Sequence, residues 1–140
     1  MSRDNVEFVE RLFAAGAGMD KQTLLDALPE LIAQMCDPEI EWIEAPWRAD
    51  ARTRLGHSGV RESFEQWLEQ FEQYSFEIDE IVDCGDEVFV DAREKAQGAA
   101  SGAAVSMHTY AVLTIRAGML LRYREFNDKQ AATQAIGLSN

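Results

Sequence analysis

Three prolines and two cysteines are spread through 140 residues, and no apolar run approaches the ~20 residues that cross a membrane. Cys36 and Cys84 stand in no metal-ligand spacing, so buried free thiols are expected rather than a disulfide. Basic residues are few as well. The 13 Lys and Arg against 25 Asp and Glu leave a net charge of −12. That argues against nucleic acid and anionic membranes as partners, since phosphate binding needs clustered Lys and Arg. The one basic cluster, Arg48, Arg52 and Arg54 in "WRADARTR", reads as a solvated loop, with an anion-attracting rim as the functional alternative. No repeat, low-complexity tract or Pro/Gly-rich linker divides the chain, so one domain able to bury a real core is expected. The N-terminal MSRDNVEFVE lacks an apolar signal-peptide stretch; a mature protein that begins here and stays in the cytoplasm is expected.

What is present is 46% hydrophobic, and its spacing is informative. Val6, Val9, Leu12 and Phe13 predict a helix over 5–15, stopped by Gly16 and Gly18. Leu24, Leu28, Leu31, Ile32 and Met35 predict a second helix after Asp20, kinked or split at Pro29. "EIEWIE", residues 39–44, alternates as a strand, with Ile40, Trp42 and Glu44 on one face. Ser58 in "GHSGV" is positioned to cap a third helix, whose stripe is Val60, Phe64, Trp67, Leu68 and Phe71. After Tyr74 the period shortens. Residues 75–83, 86–95, 103–115 and 119–126 read as strands between "CGD", "AQGAASG" and "RAG" turns, and a short helix follows from Asp128 to Gly137. Three helices followed by mostly antiparallel strands make an α+β domain. Helices laid on one face of a curved sheet enclose a pocket, a common place for small ligands.

The segment "RYREFND", residues 122–128, poses the functional question. Alternation sets Leu121, Tyr123, Glu125 and Asn127 on one face and Arg122, Arg124 and Phe126 on the other. Leu121 makes the first face look interior. A carboxylate there either meets water after a register slip or lines a cavity, where desolvation raises its pKa and suits it to general acid–base work.

"GHSGVRESFEQWLEQF", "CGDEVFVDAREKAQGAASG" and "AVLTIRAGMLLRYREFNDKQAATQAIGL" together resemble SnoaL-like proteins of the nuclear transport factor 2-like superfamily, relatives of ketosteroid isomerases and limonene epoxide hydrolases. The resemblance covers nearly the whole chain. It implies a cone-shaped domain whose bent sheet and helices surround an apolar pocket, commonly paired as a homodimer through the outer sheet face. It does not fix a chemistry, because this fold serves isomerases, hydrolases, cyclases and binding modules. The isomerase tyrosine, base and protonated aspartate fall at Leu12, Trp42 and about Ala111, so that chemistry by its usual residues is not expected. Against the epoxide hydrolases, Trp42 falls at a tyrosine, Glu44 at an asparagine and Glu125 at the water-activating aspartate. Glu94 falls at the second aspartate, and the arginine position is Ala92. Arg93, one residue over, points to the opposite face.

The site expected from these readings has Glu125 and Glu44 as catalytic carboxylates. If the two approach, one holds a proton near neutral pH; the plain alternative is a solvated strand-end Glu44. Trp42, Phe64, Trp67, Val88, Val90, Glu94, Thr109, Tyr123 and Asn127 are expected around the ligand, with ordinary core packing as the alternative for the apolar ones. His57 is expected at the surface of a helix entry and His108 on the outer face. The outer face also carries Phe89, Tyr110, Val112 and Phe126, too apolar to be wholly solvated, which points to a homodimer. The expected function is water activation or proton transfer on a small hydrophobic molecule, by hydrolysis or isomerisation without metal or organic cofactor. A non-catalytic binding or dimerisation module is the alternative.

Overall fold

In the computed structural model, which describes residues 2–48, 50–98 and 100–136, the chain begins with two helices, α1 (Ser2–Ala14) and α2 (Lys21–Met35). Strand β1 (Cys36–Ile43), strand β2 (Thr53–Leu55) and helix α3 (Gly56–Glu69) follow. Four long strands come next: β3 (Phe71–Cys84), β4 (Glu87–Gly98), β5 (Ala104–Arg116) and β6 (Met119–Phe126). The last element is α4 (Lys129–Ala135). The strands form one curved, open sheet in the order β2-β1-β6-β5-β4-β3, parallel at β1–β6 and antiparallel elsewhere. Register shifts in β3, at Phe71/Gln73 and Ile78/Glu80, put extra residues into one edge of the sheet, which bends and twists it locally. The result is the α+β cone that the residues and the resemblance predicted.

The alternation in β4 and β5 sorts the core. Val88, Val90, Ala92, Ala111 and Leu113 pack with α1, α2 and α3 on the inner face. Phe89 and Val112 face the other way and are covered by Ala132 of α4. Thr109, Ala111 and Leu113 therefore have the register expected from alternation, and His108 is exposed on the outer face, stacked on Tyr110. The apolar outer face, however, is not left open at Phe89 and Val112. The chain's own last helix fills it.

Three local expectations are corrected. Pro29 does not split α2, which runs continuously through it. Pro29 is exposed, while Leu24, Leu28 and Ile32 bury the opposite stripe; burying each of those side chains stabilises by about 1.5–3 kcal/mol, enough together to offset the ~3 kcal/mol of an internal proline. Ser58 does not cap α3, because the helix starts at Gly56 with Leu55 at the cap position and no side-chain bond. The loop read as solvated contains β2, where Arg54 pairs with Trp42 and is buried. Gly59 lets α3 cross it closely: a Cβ there would lie 3.1 Å from the Arg54 backbone. The terminal helix has Asp128 as its cap, its carboxylate accepting from Ala131 N, and ends at Ala135; the expected stop, Gly137, lies outside the described residues.

Candidate functional site

The inner sheet face and α1–α3 enclose a cavity of about 140 Å³. This compares with the ~150 Å³ of an engineered apolar cavity that stays dry and takes up benzene. Leu12, Phe13, Leu24, Leu28, Ile32 and Phe64 line it from the helices, and Trp42, Val90, Ala92, Ala111 and Leu120 from the sheet. Into this apolar lining β3, β4, β5, β6 and the β1–β2 loop insert Tyr74, Glu94, Thr109, Tyr123, Glu125 and Arg48.

Glu125 reaches the cavity by a different register from the one alternation predicted. Ile115 pairs with Leu120 and Thr114 with Arg122, so Leu121 is a bulged extra residue. Leu120, rather than Leu121, shares the inner face with Tyr123 and Glu125. Asn127 is also corrected: it follows the end of β6 and is exposed outside the cavity. Val88 is fully buried in the core but does not line the cavity, because it pairs with Leu113 farther along β4.

The Glu125 carboxylate is 5% exposed and holds three donors. Ala45 N–H donates to Oε1 at 3.2 Å; Arg48 Nη2 and the Tyr123 hydroxyl both donate to Oε2 at 3.0 Å. Burial pushes its pKa above the ordinary carboxylate range, and Glu94 adds to the rise. Arg48, Tyr123 and the Ala45 N–H pull against it without cancelling it. A carboxylate with its pKa raised in this way is better suited to take or give a proton than an ordinary one. Burial, reinforced by Glu125 and Glu94, also holds the Tyr123 and Tyr74 phenols well above their ordinary values, so both are neutral donors. Glu94 is buried, not exposed at a strand end, and its Oε1 accepts from the Thr109 hydroxyl at 2.6 Å.

Glu44 is buried but does not line the cavity. The chain leaves β1 at Ile43, and the Glu44 carboxylate turns under α3. Its Oε1 accepts from Arg52 N at 3.1 Å and its Oε2 from Ser63 Oγ at 2.6 Å, with Arg54 Nε 3.4 Å away. Arg54 in turn donates to Glu62 and Gln66. The carboxylate that interacts with Glu125 is Glu94.

Two aromatic contacts fix the walls. Trp42 pairs with Tyr123 across β1–β6 and stacks on it at 3.9 Å, while Phe64 packs against Trp42 at 5.3 Å. The Arg48 guanidinium lies 4.1 Å over Trp67, a cation–π contact that holds it at the cavity. Composition alone gave no reason to separate Arg48 from its solvated neighbours, nor to single out Tyr74. His57 ties α3 to β1, its Nε2 2.7 Å from the Cys36 carbonyl. Burial pushes the Cys36 thiol up to about 12, which removes it as a nucleophile at neutral pH. Asp79, Asp91 and His108 bring ligand-type atoms within 4.8 Å of one another on the outer face. Arg93 already occupies Asp79, its Nε donating at 2.8 Å, and none of the three lines the cavity.

A bent sheet and three helices around an apolar cavity with a few buried polar groups define a small-molecule pocket architecture. The chain belongs to the SnoaL-like domain family, which matches residues 9–123. Among solved structures it is similar to TerC co-crystallised with polyporic acid, at 22% identity over 95% of this chain and 98% of that one, TM-score 0.71. It is similar also to a putative SnoaL-like polyketide cyclase from Jannaschia sp. CCS1, at 22% identity over 99% and 94%, TM-score 0.73. A third likeness is a protein of ketosteroid isomerase-like fold from Catenulispora acidiphila, in complex with trimethylamine, at 12% identity over 83% and 90%, TM-score 0.63. No curated protein matches the chain in sequence. At such identities these structures show the fold, and the chemistry has to be argued from this chain's own residues.

Proposed function

We propose that this chain, acting as one domain, binds a small hydrophobic molecule and transfers a proton on it, or on a water beside it, through Glu125. The reaction class is hydrolysis or isomerisation without an organic cofactor. One observation carries the reading: a nearly buried carboxylate with a raised pKa lines an otherwise apolar cavity, close to a second carboxylate, Glu94. Tyr123 and Arg48 hold Glu125 in place, and Glu44 keeps the β1–β2 loop and α3 together. The test is a panel of epoxides, esters and ketones with the wild-type chain and Glu125→Gln. Turnover on one class that falls at least ~100-fold in the variant supports the reading. Equal turnover in both removes Glu125 from the mechanism.

A second reading, a binding module without turnover, has its own support: both Glu125 oxygens already accept hydrogen bonds from the protein. Under it the panel gives binding alone. We also propose that two copies pair through the outer sheet face, beside α4, where Tyr110 and Phe126 remain half-buried. Light scattering that finds only a 15.7 kDa species removes this pairing. Two unpaired thiols, Cys36 and Cys84, support a reducing, cytoplasmic setting.

A further inference from the structure

Among the described residues, three cavity-lining side chains carry a buried N–H with no hydrogen-bond partner: Trp42 Nε1, Arg48 Nε and Trp67 Nε1. All are donors. Folded proteins leave few such groups, and each calls for an explanation. The Trp67 indole faces the Tyr74 hydroxyl without reaching hydrogen-bond geometry. Trp42 Nε1 and Arg48 Nε make no hydrogen bond among the described residues. Trp42 is 8% exposed and held against Tyr123 and Phe64. Arg48 has a side chain 10% exposed, fixed by Glu125 and by the Trp67 ring. Neither can turn to bulk water without breaking these contacts.

Three of the four carboxylate oxygens that Glu94 and Glu125 bring to the cavity already accept a hydrogen bond. Both Glu125 oxygens are taken by Ala45, Arg48 Nη2 and Tyr123, and Glu94 Oε1 is taken by Thr109. An acceptor for the two spare donors is therefore best supplied by whatever fills the cavity. Charge narrows the choice. Glu94 and Glu125 set two carboxylates against one guanidinium, so an anionic ligand is repelled once both are ionised.

We infer that the cavity takes a neutral, largely apolar molecule of about one or two rings that carries an acceptor oxygen, as in a ketone, ester or ether, and that Trp42 and Arg48 hold that oxygen. This rests on the pocket reading above and adds to it the polarity of the ligand. A hydrocarbon leaves both donors unpaired. A carboxylate meets Glu94 and Glu125.

The test compares three probes of one shape, indane, indanone and indane carboxylate, by calorimetric titration of the whole chain. In a cavity without free donors the carbonyl loses its water bonds, and indane binds roughly tenfold tighter than indanone. The inference predicts that the wild-type chain binds indanone at least as tightly as indane, and the carboxylate weakest. It also predicts that Trp42→Phe and Arg48→Met each move the ratio about tenfold towards indane. The Trp42 indole N–H resonance should move downfield with indanone and not with indane. Indane binding tenfold tighter to wild type, preference for the carboxylate, or a ratio unmoved in both variants overturns the inference and leaves the pocket standing. Binding of none of the three overturns the pocket reading and the inference together. The wild-type comparison decides even if a variant fails to fold.

Discussion

Tyr123 and Glu125 are two residues apart on β6, share its inner face, and are joined by a hydrogen bond of 3.0 Å from the phenol to Oε2. The same ring stacks on Trp42, so one tyrosine fixes both the carboxylate and an aromatic wall. Tyr123→Phe keeps the stack and removes a donor that favours ionised Glu125. The variant should lose about 1–2 kcal/mol of stability. The Glu125 pKa should rise further, read from the pH dependence of probe binding. An unmoved pH profile would show that the bond does not bear on the ionisation.

Arg48 is the charge partner of Glu125, at 3.0 Å with both side chains nearly buried. Three other arginines lie elsewhere: Arg54 on Glu44 and Glu62, Arg61 on Glu65, and Arg93 on Glu77 and Asp79. Glu125→Gln removes the desolvated charge but also takes the counter-charge from a buried guanidinium, and the two effects oppose each other. Arg48→Met, which strands a buried carboxylate, should cost about 2–4 kcal/mol, and Glu125→Gln should cost less. The double variant should cost less than the sum by about 1–3 kcal/mol in urea unfolding. Additive losses would show that the two groups act independently.

The raised pKa of Glu125 has a definite sign in stability. A carboxyl group that binds its proton more tightly folded than unfolded stabilises fully below the ordinary carboxylate range, and that contribution is lost as pH rises through the raised value. The unpaired Arg48 of Glu125→Gln adds an offset that does not vary with pH in this range. The stability of wild type minus that of Glu125→Gln should thus fall as pH rises from the ordinary carboxylate range through the raised value. A flat or rising difference would contradict the desolvated carboxylate.

Glu44 gives a contrasting prediction, because its partners Arg52 N, Ser63 and Arg54 belong to the scaffold. Glu44→Ala should cost about 3 kcal/mol by leaving Arg54 short of a counter-charge. Probe affinity and its pH dependence, measured where the variant is folded, should match wild type. A shifted pH profile would restore Glu44 to the site.

Much of this was legible in sequence where local periodicity decides. Helical stripes set α1 and α3, and alternation set β4 and β5 in the observed register. The inward position of Glu125 was also read, but from the wrong anchor. Leu121 is the bulged residue, and the face is defined by Leu120 and Tyr123. A bulge is a pairing event between strands, so β6 alone does not reveal it. Arg48 was missed for a related reason. Its burial depends on Trp67 and Glu125, 19 and 77 residues away in the sequence, while its neighbours Arg52 and Asp50 are exposed. Glu44 was read as facing the cavity and is buried beside it instead, because its partners came from β2 (an unrecognised three-residue strand), from the residue before that strand, and from α3. The outer face looked open because nothing local says that α4 folds back on Phe89 and Val112.

The function proposed for the cavity depends on Glu125 being a desolvated carboxylate that a ligand reaches. The most direct measurement is the carboxyl carbon resonance of Glu125, assigned by its absence in Glu125→Gln and followed through pH with and without saturating indanone. The prediction is a midpoint above the ordinary carboxylate range that moves higher when the ligand displaces remaining water. A midpoint within the ordinary range, or one that ignores a bound ligand, would contradict it.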